Sequence, residues 1–187
     1  QTSGTGGQSA LDGHTASDAI FVSSTAAQTI GTQVDVVGIV EESFGLTRIV
    51  ASSVTANATP FVAPTPVTAP WPADNLARES IESMLYLPSN DFVVSDTYST
   101  NQYGEVGLAV GTEPLRQPTD IADYGSPEAA AVAADNAARG LLLDDGRTTN
   151  FLASGFANGS LVPPYVSLDH PLRVGAAVTL SGGYILD

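Results

Sequence analysis

The chain contains few residues that could perform acid–base or nucleophilic chemistry. Its two histidines are His14 and His170, and it has no cysteine. Asp169 precedes His170, a pairing that can activate a nucleophile, but Pro171 follows and no matching set of Asn and Glu ligands accompanies it. His14 lies in a glycine-rich loop, where a lone histidine is more often solvated than catalytic. We therefore predict no catalytic residue in this chain.

Acidic residues suggest a metal site at one position. Asp144, Asp145 and Gly146 follow a short apolar run, and Asp135 precedes them in the sequence. A calcium-binding loop of the EF-hand type needs acids at alternate positions and a glutamate at the twelfth, and this spacing is absent. The pattern favours a turn at the end of a strand, so we predict no metal site and no cofactor in this chain.

Aromatic and basic side chains could contact a ligand by stacking and charge. Trp71, Tyr98 and Tyr103 could stack on bases or sugars, and Arg48 and Arg116 could contact phosphates. Few arginines lie near these aromatics, so aromatic residues that fill a small core are the competing interpretation. We take these five residues as candidate contacts for single-stranded nucleic acid or another ligand.

The charge balance limits the partners of the chain. Its 187 residues include 20 acids and 6 bases, which gives a net charge of −14, and all the bases are arginine. Such a surface repels phosphate polyanions at long range, so nonspecific nucleic-acid binding by the whole surface is disfavoured. No stretch approaches the roughly 18 apolar residues of a membrane span, so we expect no membrane insertion. The final residues Gly183–Asp187 resemble a strand cut short, and we expect a fragment of a longer protein.

One helix is predicted by several independent local signals. Ser126 is a suitable N-cap, Pro127 suits the first helical position, and Glu128 complements the helix dipole. An alanine-rich run follows, and Gly140 is expected to adopt the left-handed conformation after the last turn. We predict a helix over 127–139 that docks on a sheet, since alanine buries little area by itself.

The rest of the chain favours short strands and turns. The segment 32–42 is the best strand of the first half, and Gly38 within it predicts a bulge or a sharp coil. A turn at 43–46 leads to the returning strand 47–54. The segments 30–38 and 174–182 share a turn glycine, a valine-bearing strand and a second glycine. We predict a mainly β fold with one or two helices, built from tandem OB-like barrels.

The predicted domain boundary is a proline-rich stretch. Residues 60–72 carry five prolines and are expected to be an extended linker. The predicted organisation is an OB-like barrel over 1–59, this linker, and a second OB-like domain over 73–187 that carries the helix 127–139 as an insertion. A single short helix or turn is expected at 76–85, with strands at 91–97 and 104–110.

Several segments, in order along most of the chain, resemble the non-catalytic region of bacterial extracellular nucleases with an endonuclease/exonuclease/phosphatase domain. The matching segments are Ser17–Val22, Gly38–Thr47, Glu82–Met84, Tyr103–Val106, Gln117–Thr119, Gly125–Ala129, Asn136–Arg139, Leu143–Gly146 and Leu172–Gly175. Ser83 stands where the family pattern leads us to expect glycine, and the loop 151–161 has no counterpart.

The resemblance implies a role without catalysis for this chain. It implies OB-like units in a secreted or cell-surface bacterial protein, whose nuclease domain would lie beyond Asp187 and use Mg²⁺ or Ca²⁺. The expected role is to scaffold that domain or to present DNA or RNA to it. The alternatives are a surface adhesion or glycan-binding module, with Trp71 and the tyrosines as its platform, and a stand-alone enzyme of unrecognised type.

Overall fold

The fold is mainly β. The computed structural model describes residues 16–61, 64–147, 149–153, 163, 165–167 and 169–186. The elements in chain order are β1 (Phe21–Ser23), β2 (Val34–Ser43), β3 (Leu46–Ala56), β4 (Val67–Ala69), α1 (Asn75–Glu79), β5 (Leu85–Pro88), β6 (Phe92–Asp96), α2 (Thr100–Tyr103), β7 (Val106–Val110), α3 (Pro127–Arg139), β8 (Gly140–Leu143), β9 (Ala177–Val178) and β10 (Tyr184–Ile185).

These elements are divided between two compact units. One comprises Gln1–Ser89 together with Leu180–Asp187, and the other comprises Asn90–Thr179. The proline-rich stretch 60–72 falls within the first unit and contains β4. The predicted domain ranges 1–59 and 73–187 stay a prediction.

In the first unit, β2 and β3 form a long antiparallel hairpin. Ser43 pairs with Leu46, so the connecting turn consists of Phe44 and Gly45 alone. Both have positive φ, 56° and 88°, as a type I′ turn requires. The pairing shifts register between Val37 and Gly38, which confirms the bulge predicted at this glycine. β1 adds a parallel strand beside β3, giving the order β1-β3-β2.

The small core of the first unit lies beside a second sheet, with the order β10-β5-β4. Val67, Ile81, Met84 and Tyr86 form this core, and each is at most 2% exposed. The short helix or turn predicted at 76–85 is the five-residue α1 followed by turn residues. The turns after α1 end at Ser83, which has a positive φ of 60°, and Ile81 and Met84 on either side of it lie in the core.

The second unit contains a four-stranded sheet with the order β8-β7-β6-β9, in which all neighbouring strands are antiparallel. Phe92, Val93 and Val94 are consecutive and buried, so both faces of β6 are covered. The strands predicted at 91–97 and 104–110 are therefore confirmed as β6 and β7. Within the described ranges, none of the three sheets closes on itself, and the OB-like barrels stay a prediction.

Three helices, rather than the one or two predicted, occur in the described chain. The additional one is the four-residue α2, which lies where a polar loop was expected. Gly104 ends it with a φ of 84°, and its amide donates to the Thr100 carbonyl at 3.0 Å. The buried Thr100 hydroxyl donates to the Glu105 carbonyl at 2.7 Å, so this turn also prepares the entry to β7.

The helix α3 has its predicted bounds, but the residue that follows it has a different conformation from the one predicted. Ser126 Oγ accepts from the Ala129 amide at 3.1 Å, as an N-cap should. The left-handed conformation predicted for Gly140 is wrong, because its φ of −76° and ψ of 141° are extended. Gly140 pairs with Ala109 and begins β8, so helix and strand join without a turn.

Candidate functional site

A cleft beside α3 is a candidate site in the second unit. Its volume is about 560 Å³, within the roughly 300–1,000 Å³ typical of small-ligand pockets. The lining residues combine an apolar group with charged and amide side chains: Pro114, Ile121, Ala131, Val132, Glu113, Arg116, Asp135, Asn136 and Arg139. The cleft can therefore accept a group with an apolar body and polar ends.

Arg139 holds the loop that follows β7 against the last turn of α3. Its Nη1 donates to the carbonyls of Val110 at 2.9 Å and Glu113 at 3.1 Å. Its guanidinium also forms an ion pair with Asp135, one helical turn earlier, at 2.9 Å. One wall of the cleft is thus attached to the helix by a charged donor, which forms stronger hydrogen bonds than a neutral one.

Asn136 and Ser95 fix the next part of the same loop. The Asn136 amide nitrogen donates to the Arg116 carbonyl at 2.8 Å, and Ser95 Oγ accepts from the Leu115 amide at 2.9 Å. The Asn136 side-chain oxygen is buried and has no hydrogen-bond partner among the described residues. The backbone of Leu115 and Arg116 is thus held by side chains of β6 and α3.

Arg116 is the predicted contact residue that the structure places at this cleft. Its side chain is exposed, and it forms no ion pair with any described residue. By contrast, Arg48, Arg139 and Arg147 each have an acidic partner within 4 Å. Because no described carboxylate pairs with it, Arg116 is the candidate contact for an anion in this cleft.

The two predicted tyrosines also belong to the second unit. Tyr98 precedes α2 and is 90% exposed, so both ring faces are open to solvent. Tyr103 ends α2, is 39% exposed, and its hydroxyl accepts from Gln102 Nε2 at 3.0 Å. Tyr98 suits the predicted stacking role better than Tyr103, because more of its ring is accessible.

Trp71 and Arg48 belong to the first unit and are engaged there. The Arg78 guanidinium lies 4.9 Å from the centre of the Trp71 ring, and Trp71 packs against the buried core. The Arg48 side chain donates from Nε and Nη2 to Glu41 Oε1, at 2.9 and 2.7 Å. A ligand at either residue would compete with these internal contacts, so they are weaker contact candidates than the sequence suggested.

The acidic segment after β8 forms the expected turn. The Asp144 carboxylate accepts from the Gly146 amide, and that of Asp145 accepts from the Arg147 amide, each at 2.9 Å. Burial raises the pKa of the nearby Tyr165 hydroxyl, and the negative charges of Asp145 and Asp144 raise it further. The Tyr165 hydroxyl donates to the Gly104 carbonyl, so Tyr165 stabilises the turn after α2.

Histidine and carboxylate groups do not converge on a metal site in the described part of the chain. No cluster of three or more His, Cys, Asp or Glu side chains occurs there. His170 lies in a bend, where its amide donates to Ser167 Oγ at 3.0 Å, and His14 lies outside the described residues. Within the same ranges, no helix has both the length and the apolar character needed to cross a bilayer.

Comparisons with protein-family models, with curated proteins and with solved structures found no match. The candidate site is therefore interpreted from its own contacts. Asn136 and Arg139 were not predicted as cleft residues. The spacing of Asp135 and Arg139 could have indicated their ion pair, whereas the carbonyl groups that Arg139 contacts come from a distant segment.

Proposed function

We propose that this chain is a non-catalytic accessory region of a secreted or cell-surface bacterial nuclease. In this proposal it scaffolds the catalytic domain of the same polypeptide and presents single-stranded DNA or RNA to it. The catalytic domain supplies hydrolysis and its Mg²⁺ or Ca²⁺ requirement, and this chain supplies neither.

The local structure of the resembling segments supports the proposal. Gly38–Thr47 spans the bulge and the tight turn of the β2–β3 hairpin. A bulged hairpin is common in small β-barrels, and it favours the OB-like assignment for the first unit. The segments Gly125–Ala129 and Asn136–Arg139 form the two ends of α3. The segments that carry the resemblance thus lie in a strand hairpin and in α3, and some of their residues line the cleft.

Arg116 carries the nucleic-acid part of the proposal. In a chain with a net charge of −14, an exposed guanidinium with no acidic partner among the described residues is a candidate contact for a phosphate. Tyr98, in the same unit, is 90% exposed and offers a stacking surface for a base. Stacking on one ring contributes about 1–3 kcal/mol, so the expected affinity is modest and decreases with salt.

A glycan-binding module is the second candidate function. It is favoured by Tyr98 and Tyr124, which are 90% and 94% exposed, because open aromatic faces also bind sugar rings. Sugars carry no phosphate charge, so their binding would be insensitive to salt and would not require Arg116.

The experiment is a fluorescence anisotropy titration of labelled single-stranded DNA with this chain, at low and moderate salt with Mg²⁺ present. Saturable binding that weakens with salt supports substrate presentation. An absence of binding at high protein concentration, together with salt-independent binding of a glycan, would replace it with the glycan-binding candidate. Cleavage of the DNA by the isolated chain would contradict the non-catalytic assignment.

A further inference from the structure

The cleft beside α3 is lined by as many basic as acidic side chains. Glu113 and Asp135 accompany Arg116 and Arg139 in its lining, whereas the whole chain has 20 acids and 6 bases. The cleft lining is therefore balanced in charge within a chain whose net charge is −14. A ligand without net charge meets none of the long-range repulsion that the acidic chain exerts on an anion. This balance favours a ligand that carries one charge of each sign.

Two of these four charges have no ionic partner among the described residues. Arg139 and Asp135 form an ion pair at 2.9 Å, so their charges offset each other. Glu113 and Arg116 are both exposed, and neither forms an ion pair with a described residue. One carboxylate and one guanidinium are thus the charged groups that a ligand in the cleft would contact.

The positions of Glu113 and Arg116 limit the length of such a ligand. They lie three residues apart on the loop after β7, so their Cα atoms are at most about 11 Å apart. An extended peptide of two or three residues covers about 7–11 Å. The Glu113 carbonyl accepts from Arg139 at 3.1 Å. The Arg116 carbonyl accepts from Asn136 at 2.8 Å, so the backbone at both positions is attached to α3.

The remaining lining of the cleft is mostly apolar. It consists of Pro114, Ile121, Ala131 and Val132, together with Asn136. The large apolar side chain of Ile121 is 44% exposed. Covering it with an aliphatic group contributes about 25 cal/mol for each Å² removed from water. A cleft volume of about 560 Å³ leaves room for aliphatic side chains between the two charged groups.

We infer that this cleft binds a peptide of two or three aliphatic residues whose amino and carboxyl termini are both unblocked. The terminal ammonium pairs with the Glu113 carboxylate, and the terminal carboxylate accepts paired N–H groups from the Arg116 guanidinium. The aliphatic side chains of the peptide cover Ile121 and Val132. The inference goes beyond the proposed function, because its ligand is not a nucleic acid. Arg116 is also the proposed phosphate contact, so the peptide and single-stranded DNA would compete for it.

Dileucine tests this inference, with two blocked forms of the same peptide as matched controls. In a titration of the isotope-labelled chain followed by NMR, dileucine should shift the amide signals of Glu113, Arg116 and Ile121 in a saturable manner. Acetylated dileucine lacks the ammonium, and dileucine amide lacks the carboxylate. Each blocked form should bind about tenfold more weakly, the loss expected for one hydrogen-bonded charged group.

Substitutions at the two charged positions assign each contact. Glu113→Gln should weaken dileucine binding about tenfold and leave the binding of acetylated dileucine unchanged, because that form has no ammonium. Arg116→Gln should weaken dileucine binding similarly and leave the binding of dileucine amide unchanged. Glu128→Gln is the control variant: Glu128 is exposed on α3 and outside the cleft lining, so this variant should bind as the native chain does. A misfolded variant would lose all three peptides together, so this crossed pattern separates a contact from a folding defect.

Saturable binding of dileucine with the crossed pattern supports the inference. An absence of shifts at about 10 mM dileucine overturns it, since that concentration detects even millimolar affinity. Equal binding of dileucine and both blocked forms by the native chain also overturns it, as does dileucine binding of native strength by Glu113→Gln. The titrations contain no nucleic acid, so this inference can fail while the proposed function stands.

Discussion

Glu82 Oε2 accepts a hydrogen bond from the backbone amide of Thr47 at 3.1 Å. Glu82 is 8% exposed and lies between Ile81 and Met84, which are fully buried. Thr47 lies just after the turn of the β2–β3 hairpin. A carboxyl side chain thus connects the exposed hairpin to the small core of the first unit, in a sheet that otherwise buries little apolar surface.

Removing this acceptor should destabilise the first unit. Glu82→Ala leaves the Thr47 amide without its partner, and we expect a loss of about 1–3 kcal/mol in the free energy of unfolding. The matched control is Glu42→Ala, since Glu42 is exposed and accepts from the Thr47 hydroxyl, at 2.9 Å. Its effect should stay within about 0.5 kcal/mol. Urea denaturation followed by circular dichroism measures both, and equal effects would contradict the connecting role.

Arg139 should stabilise the second unit through carbonyl contacts more than through its ion pair. Arg139→Ala leaves the Val110 and Glu113 carbonyls without this donor, and we expect a loss of about 1–3 kcal/mol. Asp135→Ala removes only a half-exposed ion pair, which contributes about 0.2–1 kcal/mol. Denaturant unfolding of the two variants separates these contributions. A larger effect for Asp135→Ala would show that the ion pair dominates.

Gly38 should be intolerant of any side chain. A Cβ atom at this position would lie 2.3 Å from the Val50 carbonyl oxygen and 2.9 Å from the Ala51 Cα. Both are backbone atoms, so the hairpin itself must shift, and we expect Gly38→Ala to cost about 1–3 kcal/mol. Ser52→Ala, which removes a hydroxyl contact to the Val37 carbonyl at the same bulge, should cost less. Thermal melts of both variants are the measurement, and a neutral Gly38→Ala would refute the close approach.

Tyr86 should make stability depend on alkaline pH. Its hydroxyl lies 2.7 Å from both the Ala69 and Pro70 carbonyl oxygens, and burial raises the pKa of this hydroxyl above its ordinary value of 10.0. The unfolded chain therefore loses this proton at a lower pH than the folded chain. The stabilisation is complete below about pH 10 and decreases as the pH rises above it.

The control for this pH dependence is Tyr86→Phe. This variant should lose about 1 kcal/mol at neutral pH, since it lacks the buried hydrogen bond, and should show a shallower decline above pH 10. Unfolding midpoints in urea at several pH values provide the comparison. An unchanged alkaline slope would assign the effect to another group, such as Tyr165, whose pKa burial also raises.

The sequence predicted α3 and the hairpin well because both depend on residues that are close together in the chain. The Ser126 cap and Pro127 fix the start of α3, and the bulge at Gly38 follows from the absence of a side chain there. Gly140 was misassigned because pairing with Ala109, a tertiary contact, replaced the helix-ending turn. The spacing of Ile81 and Met84 is compatible with either a helix or a turn, and packing decided for the turn.

The candidate site was predictable by residue type but not by position. Exposed aromatics and arginines were recognisable in the sequence, yet their partners were not. Arg48 is paired with Glu41 across the hairpin, and Trp71 lies under Arg78, whereas Arg116 has no acidic partner among the described residues. These differences arise from strand register and loop packing, which residue types alone do not determine.

The most direct test of the account compares the native chain with Arg116→Ala in the titration with labelled single-stranded DNA. We predict saturable binding by the native chain, weaker binding by the variant, and a salt dependence that is shallower by about 0.7 in log–log slope, the contribution of one phosphate contact on a single strand. Arg48→Ala, which removes an arginine already paired with Glu41, should bind as the native chain does. No binding by the native chain, or equal binding by Arg116→Ala, would contradict the claim that this chain presents nucleic acid through Arg116.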